Sequence, residues 1–144
     1  QIGQSKMFWL DDGFDFPGAG SMGGAHSNIE KVTSFTALAA ENGSRYVCTT
    51  ADATCTLPTL EPGLVFEFLR ASDHELVVAS AAGDDMIIGN DLGADSVTFA
   101  TPGEQIGARV RVESIYVGTT LKWLVTLLTV PFSTDNYLAT TFAT

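Results

Sequence analysis

The chain has 144 residues, of which 45% are hydrophobic and 17% charged, with 17 acids against seven bases and a net charge of −10. That apolar content is too high for a disordered chain, and a single domain of this size buries enough of itself to fold without a staple. A field of that sign repels phosphate, the bases are scattered from Lys6 to Lys122, and no apolar stretch nears the ~20 residues that span a bilayer. Composition therefore speaks against nucleic acid and membrane as partners.

Residues 1–28 hold six of the 14 glycines, with Phe8, Trp9, Phe14 and Phe16 among them. The glycines argue against a regular element, and four large aromatics argue against a plain linker. Two arrangements fit: an extended arm that lays its aromatics into grooves on a neighbour, or an arm folded back over its own domain. The chain opens on Gln1 rather than Met, as expected of a trimmed or processed product.

Residues 29–130 carry short strand signals, starting with a weak alternation over 34–38 and a turn at Ala39–Gly43. Strands are expected at Arg45–Thr50, Ala53–Leu57, Leu64–Leu69, Glu75–Ser80, Met86–Ile88, Ser96–Phe99, Arg109–Val117 and Lys122–Thr129. Strands at spacings of about ten residues predict one all-β domain, an antiparallel β-sandwich or a barrel-like, jelly-roll-like fold. No segment sustains a 3.6-residue apolar period. Residues 131–144 form a C-terminal tail opened by Pro131. Its Phe132, Tyr137, Leu138 and Phe142 suit packing on a neighbouring subunit or on the domain itself.

Catalytic sets are thin, so no enzyme and no cofactor are expected. His26 lies in the glycine-rich arm, a poor setting for a general base, and His74 sits in a polar turn. No nucleophile elbow, zinc-binding helix or phosphate loop is present. Asp84, Asp85, Asp91 and Asp95 are oxygen donors of the kind calcium takes, but their spacing departs from an EF-hand and Asp, Asn and Gly also favour turns. No metal is therefore assigned. Cys48 and Cys55 flank an expected turn near Ala51–Ala53, open either to a disulfide or to two packed thiols. Asn42-Gly43-Ser44 fits a glycosylation pattern laid over a turn. Along Arg109–Glu113 the valines share one face, while Arg109 and Arg111 share the other with Glu113. That second face suits plain solvation or contact with acidic groups on a partner.

The order of signatures from Leu38 to Trp123 resembles a family of small β domains on tailed-phage virions, found among head decoration (cement) proteins and in head or tail fibre pieces. Leu38-Ala39-Ala40-Glu41-Asn42-Gly43 leads to an aromatic strand at Tyr46. Ala53-Thr54-Cys55-Thr56-Leu57-Pro58 is similar to the family's A-T-F-T-L-P strand, with Cys55 where an aromatic is usual. Pro62-Gly63-Leu64-Val65-Phe66-Glu67-Phe68 resembles its G-x-x-F-x-F strand, and Gly83–Gly89 its D-x-I-x-G loop. Gly103, the Arg109–Ile115 strand and Trp123 resemble its closing hairpin. The arm and the tail have no counterpart in that pattern.

The resemblance implies a decoration protein on the outer surface of a phage head. It would bind the major capsid protein, often as a trimer, and tie neighbouring shell subunits together. Phe8, Trp9, Phe14 and Phe16 would then be the arm's capsid anchors, and Arg109, Arg111, Phe132, Tyr137 and Phe142 subunit or partner contacts. The alternative it leaves open is a tail-fibre or baseplate module that recognises a host surface.

Overall fold

Alternating burial follows from strands whose neighbouring side chains point to opposite faces. In the computed structural model, which describes residues 27–129 and the backbone of 140–143, Arg45–Cys48 reads half-buried, buried, half-buried, buried. Val65–Arg70 does the same from Phe66 onward, with one exception at Glu67. The strands are β1 (Asn28–Lys31), β2 (Phe35–Thr36), β3 (Arg45–Cys48), β4 (Ala53–Thr56), β5 (Val65–Arg70) and β6 (Leu76–Ala79). They continue with β7 (Met86–Ile88), β8 (Asp91–Ala94), β9 (Ser96–Phe99), β10 (Arg109–Val117), β11 (Thr120–Leu127) and β12 (Thr140–Ala143). One 3-10 turn, Ala39–Glu41, stands between β2 and β3.

Two sheets share one apolar core. The larger has the order β1-β3-β5-β10-β11-β7-β8, the smaller β12-β9-β6-β4-β2. The all-β expectation holds, whereas the antiparallel one is corrected. β1, β3 and β5 run parallel in one sheet, β2, β4 and β6 run parallel in the other, and β7 joins β11 in parallel. The first six strands therefore wind between the two sheets as three stacked rungs. In the larger sheet Asn28 pairs with Arg45, and Arg45 with Glu67. In the smaller sheet Phe35 pairs with Cys55, and Cys55 with Val78. Each rung thus takes up a similar length of chain. Antiparallel pairing enters with β7 and β8 and, from β9 onward, closes the stack.

Side chains at the corners bond rung to rung. Asn42 Nδ2 donates to the Gly63 carbonyl at 2.8 Å, and Val65 N–H donates to Asn42 Oδ1 at 2.7 Å. The residue with the glycosylation pattern is thus a turn staple. Thr54 N–H donates to Ser34 Oγ at 2.9 Å, and Glu75 N–H to Asp52 Oδ1 at 2.9 Å. Inward residues form ladders through the stack: Ile29, Tyr46, Phe68 and Val110 in the larger sheet, Phe35, Cys55, Val78 and Val97 in the smaller. The Tyr46 ring lies 5.4 Å from Phe68, 6.0 Å from Phe66 and 4.9 Å from Phe35 across the sheets. Trp123 closes the far side, 6.4 Å from Phe66.

The corner between β5 and β6 holds an enclosed cation. Arg70 continues the inward ladder below Lys31 and Cys48 and is fully buried. Its Nε donates to the Ser72 carbonyl and its Nη2 to the Ala51 carbonyl and Ser72 Oγ, while Nη1 has no hydrogen-bond partner among the described residues. The guanidinium ties two successive corners together.

Cys48 and Cys55 do not face each other across a hairpin. β3 and β4 lie in different sheets, and both thiols are free and buried. Burial pushes both thiols up, with Arg70 pulling against it at Cys48 and the Ala37 backbone at Cys55. A thiol reagent should leave both cysteines of the native protein unmodified at neutral pH and label both in denaturant. Unfolding by urea should also show Phe68→Ala destabilising the domain by about 4 kcal/mol, the usual cost of emptying such a site.

Candidate docking face of the larger sheet

Because Phe66, Phe68 and Arg70 point into the core, Val65, Glu67 and Leu69 occupy the outer face of β5. The same parity puts Arg45 and Val47 of β3 there, with Arg109, Arg111, Glu113 and Ile115 of β10 and Lys122 and Leu124 of β11. Four of the chain's seven bases thus share one sheet face. They sit among half-buried Val47, Val65, Leu69, Ile115 and Leu124. The sequence showed these bases as scattered; strand pairing gathers them.

Glu67 organises the centre. It is only 5% exposed although it lies on an outer face. Its Oε2 accepts from Arg45 Nε at 2.7 Å and from Arg109 Nε at 3.0 Å. Burial alone would raise the pKa of Glu67, but the two guanidinium groups outweigh it and hold the carboxyl below its ordinary value. Arg111 is 3.9 Å from Glu113 on the same strand, and Lys122 Nζ donates to the Asp84 carbonyl at 2.6 Å.

Of the residues named from sequence, Arg109 and Arg111 are brought onto this face together. Phe8, Trp9, Phe14, Phe16, Phe132 and Tyr137 lie outside the described residues, as does His26. The backbone of Phe142 belongs to β12 and pairs with Val97 of β9, so that stretch of the tail joins the domain's own smaller sheet. His74 is exposed, with Nδ1 3.4 Å from Asp52 Oδ1. The four aspartates do not converge: among the described residues no group of three or more His, Cys, Asp or Glu is placed to hold a metal ion. Asp95 Oδ1 instead accepts from Asp84 N–H and Asp91 Oδ1 from Gly93 N–H, which makes them turn acceptors around β8. Sequence reading missed Arg45, Glu67 and Lys122. The signal was there for Glu67, a lone acid inside the apolar run Leu64–Leu69, where only a paired carboxylate is tolerated.

Comparison with family models, with curated proteins and with solved structures finds no match to this chain.

The lowered pKa of Glu67 fixes the sign of a pH effect. Its stabilising contribution is present above the ordinary carboxylate value of 4.5 and is lost as pH falls through the lower folded value. Glu67→Gln should therefore cost about 1–2 kcal/mol at neutral pH, and the difference from wild type should shrink towards about pH 3. Urea unfolding at both pH values checks this.

Proposed function

We propose that this protein is a virion decoration protein that sits on the outside of a tailed-phage head and ties neighbouring shell subunits together. The observation that carries the reading is the basic and aliphatic face of the larger sheet on an otherwise acidic domain. Partner faces commonly mix arginine with apolar side chains, and arginines held by a buried carboxylate lose little side-chain freedom on binding. The succession of motifs from Leu38 to Trp123 supplies the class of partner, the major capsid protein. The acidic remainder keeps decorated particles apart in solution. On this reading Arg45, Arg109 and Arg111 meet carboxylates of the shell, and a trimer would multiply a modest contact by avidity.

A second reading has its own support. Stacked parallel rungs are how elongated β shafts are extended along an axis. That architecture favours a tail-fibre or baseplate module that recognises a host surface.

Co-sedimentation separates the two. Purified protein offered to shells stripped of it should bind saturably, at a fixed number per shell subunit. The variant Arg111→Glu, which leaves both arginine pairs of Glu67 intact, should bind at least about tenfold more weakly while remaining folded. Binding to host cells and not to shells would discard decoration in favour of the fibre reading.

A further inference from the structure

The corner that Asn42 staples is built from a labile pair. Gly43 has φ +86°, in the left-handed region that favours glycine. Residue 42 has to donate and accept at once: its Nδ2 donates to the Gly63 carbonyl at 2.8 Å, and its Oδ1 accepts from Val65 N–H at 2.7 Å. Asparagine meets both demands in a short side chain that suits turns. The fold thus calls for Asn-Gly at this point, and that dipeptide can react with itself. Glycine has no side chain to shield its backbone nitrogen, which can approach and attack the carbonyl carbon of the preceding side-chain amide.

The step balances with water alone. The bond that forms runs from Gly43 N to Asn42 Cγ, and the bond that breaks is Asn42 Cγ–Nδ2. The Gly43 amide proton goes to hydroxide, Nδ2 takes a proton from water and departs as ammonia, and a cyclic imide remains. Water then opens the ring at either carbonyl, which leaves aspartate or isoaspartate. Asn42 is exposed, so solvent reaches it. In the closed corner, however, each group that must move is held. The attacking Gly43 N–H donates to the Val65 carbonyl at 2.8 Å, and the side-chain amide is bonded at both its nitrogen and its oxygen. Asn42 N–H on the Ala39 carbonyl and Ser44 N–H on the Glu41 carbonyl, each at 3.1 Å, fix the backbone on either side. The bonds of Gly43 N–H, Nδ2 and Oδ1 all have to break before Cγ and the Gly43 nitrogen can meet.

We propose that Asn42 is a self-modification site gated by this corner. It stays intact while the corner is closed, converts once the corner opens, and after conversion no longer lets the corner close as before. Aspartate keeps an oxygen for Val65 N–H, but it sets a carboxylate oxygen against the Gly63 carbonyl where Nδ2 had donated. Two acceptors then face each other with no proton between them. Isoaspartate also adds a methylene to the backbone at the residue that leads from the 3-10 turn Ala39–Glu41 towards β3. Either product places a further negative charge on a chain of net charge −10. The same corner holds the start of β5 beside β3, where Arg45 pairs with Glu67. Conversion at Asn42 therefore leaves a lasting record that two rungs have parted at this end. This goes beyond the decoration reading and does not rest on it.

Peptide mapping by mass spectrometry on the full-length chain tests the gate. Held at mildly alkaline pH, the native protein should convert Asn42 at least about tenfold more slowly than an isolated peptide spanning Ala39–Tyr46. In urea the rate should rise to that of the peptide. Equal rates in the native protein and the peptide would overturn the proposal, whether or not any variant folds. Amide hydrogen exchange reads the record. In Asn42→Asp the amides of Gly43 and Val65 should exchange at least about tenfold faster than in wild type, while those of Val78 and Val97 stay slow. Wild-type protein converted in urea and returned to buffer should show the same change in its natural products. Exchange at Gly43 and Val65 that is unaltered in that refolded material would also overturn the proposal.

Discussion

The structure depends on register between parallel strands that are not joined by hairpins. Once Tyr46 sits over Phe68, and Cys55 over Val78, every inward position of the first three rungs is fixed, because a slip of one residue would turn each side chain to the other face. Such a slip would place Glu67 in the core and Phe66 and Phe68 in water. The corner bonds of Asn42, Ser34, Asp52 and Arg70 resist it, since each pairs one particular rung position with one particular neighbour. Packing and corner chemistry therefore specify the same alignment, and that agreement gives a sequence of short, weak strands a single fold.

Much of this was legible in the residues. The turn at Asn42-Gly43, the stop at Pro58, the run Leu64–Leu69 and the alternation of Arg109–Val117 all mark elements that the structure contains close to the expected bounds. Strand direction was not legible. A period of two describes a strand in a hairpin and a strand in a rung equally well, and the stretch near Ala51–Ala53 reads as a hairpin turn although the chain passes there from one sheet to the other. β8 was hidden for a related reason: Asp91 and Gly93 are typical turn residues, and only pairing with β7 makes that stretch a strand. β1 fell at the arm boundary because its four residues, Asn28 to Lys31, carry a single half-covered aliphatic.

The candidate face was half legible. Alternation alone placed Arg109 and Arg111 together on one side of their strand. The addition of Arg45, far ahead of Arg109 in the chain, required knowing that β5 lies between β3 and β10. Local pattern carries no information about which strands become neighbours, so a patch assembled across three strands is invisible until topology is known. Glu67 is the link. It is buried on a surface because the two cations beside it cover it, and this explains why burial and an outward orientation coexist at one residue.

The rung construction has a consequence for how this domain comes apart. Each rung touches only the ones above and below, so cohesion is passed along the stack and is not shared equally by all strands. The antiparallel strands from β9 onward lock one end, with β10 and β11 spanning the middle of the larger sheet. The other end has no such lock among the described residues. Under mechanical load or mild denaturant, β1 and β2 can peel away while Tyr46, Phe68 and Trp123 stay packed. The molecule would then shorten by a rung and keep its fold, with loss graded along an axis.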